Sequence, residues 1–169
     1  GFIDNDLGWI RSNVRANDAE VEIRNVTDEL TTLGLWGPRA RDVLQAVTAD
    51  DVSNEALPYM KAKTITIRGA KVLAQRVTYV GELGWELYID PAWAVQVWDA
   101  LMAAGEARGI RPIGYGALEM ARIEAGLLLP DSEFVNAEHT LRVNRGRTPL
   151  ELGMDWLVDF GKGHFTGRR

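Results

Sequence analysis

The densest group of chemically useful residues is Tyr79-Val80-Gly81-Glu82-Leu83-Gly84-Trp85-Glu86, which holds two acids, two glycines and two aromatic residues between apolar segments. Gly81 and Gly84 permit positive φ and close approach by a ligand. Tyr79 and Trp85 offer flat apolar faces, and Glu82 and Glu86 offer carboxylates. Period two after the turn places Trp85, Leu87 and Ile89 on one strand face and Glu86 and Tyr88 on the other, so Glu86 needs a partner if it is buried. A heterocycle with an amidine edge, such as the aminopyrimidinone of a pterin, presents two parallel donors to one carboxylate. A tight hairpin with solvated glutamates uses the same residue types. Spacing alone leaves both readings open.

A second group is Gly114 to Gly126, in which Glu119 and Arg122 stand at i,i+3 and Arg122 is placed to reach inward to an anion or a carbonyl. An ordinary surface ion pair is the competing reading. Other chemistries lack material. There is no cysteine, which removes disulfides, thiolate nucleophiles and Cys-ligated metals. The two histidines, His139 and His164, have no His partner at i+4, so neither a zinc site nor a Ser–His–Asp triad is expected, and no metal is assigned. The glycines match neither a Walker pattern nor a dinucleotide fingerprint.

The elements that must carry these residues are legible from periodicity. Leu7, Ile10 and Val14 predict a helix over 4–16, and Val21 and Ile23 alternate with charges as a half-buried strand. Thr31 to Trp36 reads as a strand, and Pro38 opens a helix through Val43, Leu44 and Val47. Lys63–Arg68 and Lys71–Thr78 flank Gly69 as a hairpin, and Trp85–Ile89 is a further strand. Pro91 begins a helix carrying Val97, Leu101 and Ala104 and ending at Gly105 or Gly109. Gly114 or Gly116 opens another that stops at Gly126. Asp131 to Arg147 is a long polar connection, beyond the usual limit of about 12–15 residues. Helices do not separate every strand, so the expected class is α+β, a largely antiparallel sheet with packed helices.

The chain of 169 residues fits one domain, able to bury roughly 70% of its unfolded surface. With 46% apolar and 25% charged residues it is an ordinary globular composition. A formal charge of −5, from 24 acids against 19 bases, gives nucleic acid no basic footprint. No apolar run approaches the ~18 residues of a membrane span, and no signal peptide opens the chain, so no membrane partner is expected and a soluble cytoplasmic protein is. The start at Gly1-Phe2-Ile3-Asp4 and the stop at Gly167-Arg168-Arg169 suggest a piece of something longer.

Four ordered segments carry a resemblance: Leu35-Trp36-Gly37-Pro38-Arg39-Ala40-Arg41-Asp42-Val43-Leu44, Tyr79 to Leu87, Ala121-Arg122-Ile123-Glu124-Ala125-Gly126 and Thr148-Pro149-Leu150-Glu151-Leu152-Gly153. In order and spacing they resemble the glycine-cleavage T-protein (aminomethyltransferase) family over nearly the whole chain. The wording of Trp36-Gly37-Pro38 and of Tyr79 to Trp85 resembles more closely still the folate half of dimethylglycine and sarcosine dehydrogenases. The resemblance implies the aminomethyltransferase folate-binding fold and transfer of a one-carbon unit to tetrahydrofolate. It implies folate and a small amine-derived donor as partners, with a lipoyl carrier protein or a flavin domain beside them.

Residue by residue, Tyr79 matches the tyrosine lining the family's folate pocket, and Glu86 the carboxylate that holds the pterin. Glu82 matches a turn acid, Trp85 lies between them, and Arg122 matches the arginine of the helix motif. Leu118 departs from the family, standing where the glycine-cleavage enzyme has an arginine that approaches folate. The family's catalytic aspartate lies in a segment preceding anything present here, so no catalytic residue is assigned. By this resemblance residues 1–169 are a partial folate-binding domain, without the N-terminal segment and the C-terminal barrel and expected to be inactive alone. The absent aspartate and Leu118 favour the alternative of a folate-binding module without transfer activity.

Overall fold

A computed structural model describes residues 2–15, 21–135 and 140–165. His139 lies outside the described residues. Four strands, β1 (Thr31–Trp36), β2 (Ala62–Ile67), β3 (Ala70–Gln75) and β4 (Gly84–Ile89), form one antiparallel sheet in the order β1-β4-β3-β2. Helix α1 (Phe2–Ser12) precedes the sheet, α2 (Ala40–Val47) links β1 to β2, and α3 (Ala94–Gly105) and α4 (Tyr115–Glu124) follow it. The class is therefore α+β with a wholly antiparallel sheet, as the sequence predicts.

Alternation decides the two faces. On β4, Trp85, Leu87 and Ile89 are fully buried, and they meet Leu35, Leu33 and Thr31 across β1. Val72 and Ala74 of β3 and Ile65 and Ile67 of β2 continue the same face. The apolar stripes of α2 (Val43, Leu44) and α3 (Val97, Leu101) close over it, and the two helices also touch each other. Each fully buried side chain of this size stabilises the fold by roughly 1.5–3 kcal/mol relative to exposure. The opposite face carries Thr32, Gly34 and Trp36 of β1, Lys71, Leu73 and Gln75 of β3, and Glu86 and Tyr88 of β4. Leu73 there is 42% exposed.

Several predicted elements differ: the helix expected over 4–16 ends at Ser12, and the one expected from Pro91 begins at Ala94, after a single tight turn. Residues 21–26 form no strand and are mostly exposed. Their alternation meets no partner strand among the described residues, and period two cannot fix a strand whose hydrogen bonds have nowhere to go. Helix α2 starts at Ala40, not at Pro38, which sits in the turn before it. Strand β3 ends at Gln75, and Arg76 stays beside the residues that precede β2, its N–H donating to the Lys61 carbonyl at 2.8 Å and its carbonyl accepting the Met60 N–H at 2.9 Å, while residues 76–83 form no strand. The link from β3 to β4 is therefore an irregular loop over 76–83, and the tight-hairpin reading of that stretch falls.

Candidate functional site

The loop before β4 is shaped by what it packs on. Gly81 has φ +78, and a Cβ built on it would lie 2.5 Å from the Ala125 Cβ at the end of α4. Gly84 is closed by the Leu35 carbonyl and the Trp36 ring. Both glycines thus admit close approach by the protein's own chain, where the sequence reading gave that approach to a ligand. The packing at Gly81 brings Tyr79, half-buried, toward α4, where the exposed Tyr115 hydroxyl lies beside Glu119. The Glu119 charge raises the Tyr115 pKa, with the nearby Tyr79 contributing less.

The predicted residues separate into three environments. Trp85 is 0% exposed in the core, with the Arg41 guanidinium 5.6 Å from its ring centroid. This corrects the expectation of an accessible flat face: period two puts it on the side that α2 covers. Its Nε1 meets no acceptor among the described residues.

Arg122 is 2% exposed and neither a surface pair nor a free cation. Its Nε and Nη2 donate to Glu119 Oε2 at 3.0 and 2.5 Å, and its Nη1 donates to Glu133 Oε2 at 2.6 Å and to the Leu127 carbonyl at 3.1 Å. Glu133 Oε2 also accepts from the Leu129 N–H at 2.8 Å. The arginine does reach inward to an anion and a carbonyl, as its spacing predicts, but these are the chain's own Glu133 and Leu127, and it is committed to tying α4 to the segment after it. Its hydrogen bonds hold both glutamates below the ordinary carboxylate range.

Glu86 stands apart from both. It projects from β4 onto the open sheet face, half-buried, where Glu86 Oε2 accepts the Tyr88 hydroxyl at 2.6 Å. That bond and its charge push the Tyr88 pKa up to about 12, since ionising the phenol would set two anions side by side. Among the described residues no cation pairs with Glu86.

Two concavities flank this strand. The larger, about 760 Å³, runs past Leu33, Trp36, Trp98, Tyr115 and Leu118 and reaches Glu82. The smaller, about 370 Å³, lies between Tyr59, Arg76 and Gly84 and also touches Glu82. Glu82 is exposed and lines both, while Glu86 lines neither. The larger one is lined in part by Gly34, the residue directly opposite Glu86 in the β1–β4 register.

Sequence reasoning passed over Tyr88, Trp36 and Glu133 as site-forming residues. Tyr88 had a usable signal, since i,i+2 on a strand shares a face. Glu133 had none, because its partner is set by how the chain folds back after α4.

The model of the family described as the GCVT N-terminal domain matches residues 1–162. An aminomethyltransferase of Halothermothrix orenii is 37% identical over 167 residues, covering 99% of this chain and 43% of its own length. One from Thermoanaerobacter pseudethanolicus is 36% identical over 166 residues, covering 98% and 42%. The mitochondrial dimethylglycine dehydrogenase of Homo sapiens is 36% identical over 165 residues, covering 97% of this chain and 18% of its own length. The chain thus spans less than half the length of each of these relatives.

Proposed function

The chain belongs to the GCVT N-terminal domain family, and on that premise we propose that it is the tetrahydrofolate-binding part of a one-carbon (aminomethyl or methylene) transferase, with Glu86 receiving the amidine edge of the pterin. The observation that carries this reading is a strand carboxylate on an open sheet face, oriented by a tyrosine and paired with no cation among the described residues. A carboxylate so placed has three lone-pair sites left for a donor pair such as the pterin amine and ring N–H. Tyr79 and Glu82, on the loop beside β4, are the neighbouring groups that would meet the rest of the ligand. Trp85 and Arg122 support from behind, one by fixing β4 against the core and the other by fixing α4 under the loop.

Tetrahydrofolate, when bound, supplies the amine nitrogens that accept the one-carbon unit. This chain's residues hold and orient it, and orientation is a large share of what such a transfer requires. A small amine-derived molecule is the donor, and a lipoyl carrier protein is the partner that would present it. The likeness to dimethylglycine dehydrogenase favours a second reading, the folate half of a flavin-dependent N-demethylating dehydrogenase, in which a flavin domain generates the group to be captured.

Calorimetry with 5-formyltetrahydrofolate, a stable reduced folate, tests the binding claim. The unaltered chain is expected to bind, and Glu86→Gln to weaken binding about 10–100-fold, the loss of one charge-assisted pair. No heat from the unaltered chain at about 1 mM ligand, a threshold of roughly −4 kcal/mol, would remove the proposal.

A further inference from the structure

The open sheet face holds a second feature beside Glu86. The indole of Trp36 lies along the face over Gly34 and Gly84: a Cβ built on either glycine would run into the ring. Its Nε1 donates to the Val77 carbonyl at 3.3 Å, which fixes the ring from the loop side. Gly34 pairs with Glu86 in the register, and directly opposed positions of an antiparallel pair have Cβ atoms about 4.5–5.5 Å apart. The ring therefore occupies the place a side chain at 34 would fill, next to the Cβ of Glu86. Trp36 is also among the residues that line the larger concavity.

On the other side of Glu86 along β4 stands Tyr88, and Leu73 lies across from Tyr88 on β3. The tyrosine takes one lone pair of Glu86 Oε2 and leaves Oε1 unengaged among the described residues. An aromatic surface, a fixed carboxylate edge and an exposed apolar neighbour form a contiguous set. Covering the backbone of β1 and β4 would account for an indole here, but not for its place beside the position of an acid that pairs with no cation among the described residues.

We propose that Trp36 is the platform on which a flat, amidine-bearing heterocycle lies while its edge meets Glu86, which makes Trp36 a specificity-determining residue of the site. This rests on the folate reading above and adds to it the surface against which the ring is held. Flat rings gain from an aromatic face whatever their substituents, and the carboxylate then selects those with two adjacent donors.

The experiment is titration of the full chain with 5-formyltetrahydrofolate, followed by calorimetry and by quenching of tryptophan fluorescence. Trp36→Leu is expected to weaken binding about tenfold or more, in line with the loss of one stacked ring. Trp36→Phe keeps a ring and is expected to bind within about threefold of the unaltered chain, while losing the quenching that Trp36 contributes. Binding unchanged in Trp36→Leu, or quenching unchanged in Trp36→Phe, would overturn the platform and leave the folate reading intact. An unaltered chain that does not bind would overturn both. Because Trp36→Phe preserves the ring over the two glycines, its quenching decides the matter even if Trp36→Leu fails to fold.

Discussion

The sheet region and the region from α4 onward are held by different forces. Every buried apolar side chain described lies between Leu35 and Leu101, on the four strands, α2, α3 and the loop carrying Val52 and Leu57. Beyond Gly105 the buried residue among those described is a charged one, Arg122, while Ile113, Met120, Ile123 and Trp156 are each more than half exposed. The first region has a core in the ordinary sense. The second is organised by one guanidinium, two carboxylates and a backbone carbonyl. The lesson is that the loop 76–83, which bears Tyr79 and Glu82, sits where these two regimes meet, with Gly81 packed on Ala125 at the end of α4 and Tyr79 near Tyr115.

Breaking the first region should have the largest effect. Leu87→Ala removes a fully buried side chain from the centre of the sheet and is expected to cost about 2–5 kcal/mol in denaturant unfolding, with all probes losing structure together. A next, smaller effect tests the joint itself. Gly81→Ala puts a methyl against Ala125 at a positive φ, at a cost of about 1–3 kcal/mol. Hydrogen exchange should quicken in the loop and in α4 before it does in β3. Uniform quickening across the sheet would show that the two regions are one cooperative unit.

Acid should sharpen the contrast with the least perturbation. Glu119 and Glu133 titrate below their ordinary 4.5 in the folded chain because Arg122 donates to them, and they regain the ordinary value on unfolding. The unfolded form then binds more protons in acid, so the contribution is present above pH 4.5 and is lost as pH falls through the lowered values. Exchange protection in α4 should decline there while that of β4 holds, a difference exchange measured from pH 6 down to pH 3 would reveal.

What could be read in advance follows the same division. Thr31–Trp36, the hairpin around Gly69 and the helix carrying Val97 and Leu101 were legible because each is an amphipathic pattern completed by burial against a neighbour. The period-two reading of β4 placed Trp85 inward and Glu86 outward, but the flat face credited to Trp85 overlooked that α2 would cover it. Residues 21–26 show the converse, a strand pattern without a partner. Arg122 was legible as half of a pair with Glu119, whereas its burial depended on Glu133, whose approach is a matter of how the chain returns after Gly126. The separation of Glu86 from both concavities is equally a property of the sheet register and not of local spacing.

The strand order also governs when this domain can form. Strands β2, β3 and β4 follow one another and zip as neighbours, but β1, made before all of them, has only β4 to pair with. During synthesis Leu33 and Leu35 must stay unpaired until Leu87 and Trp85 leave the ribosome, and Trp36 cannot settle over Gly84 before then. The surface that would receive a ligand is thus the last part of the sheet to exist. A nascent chain stalled before β4 should lack it entirely, however much of the β2–β3 hairpin has already formed.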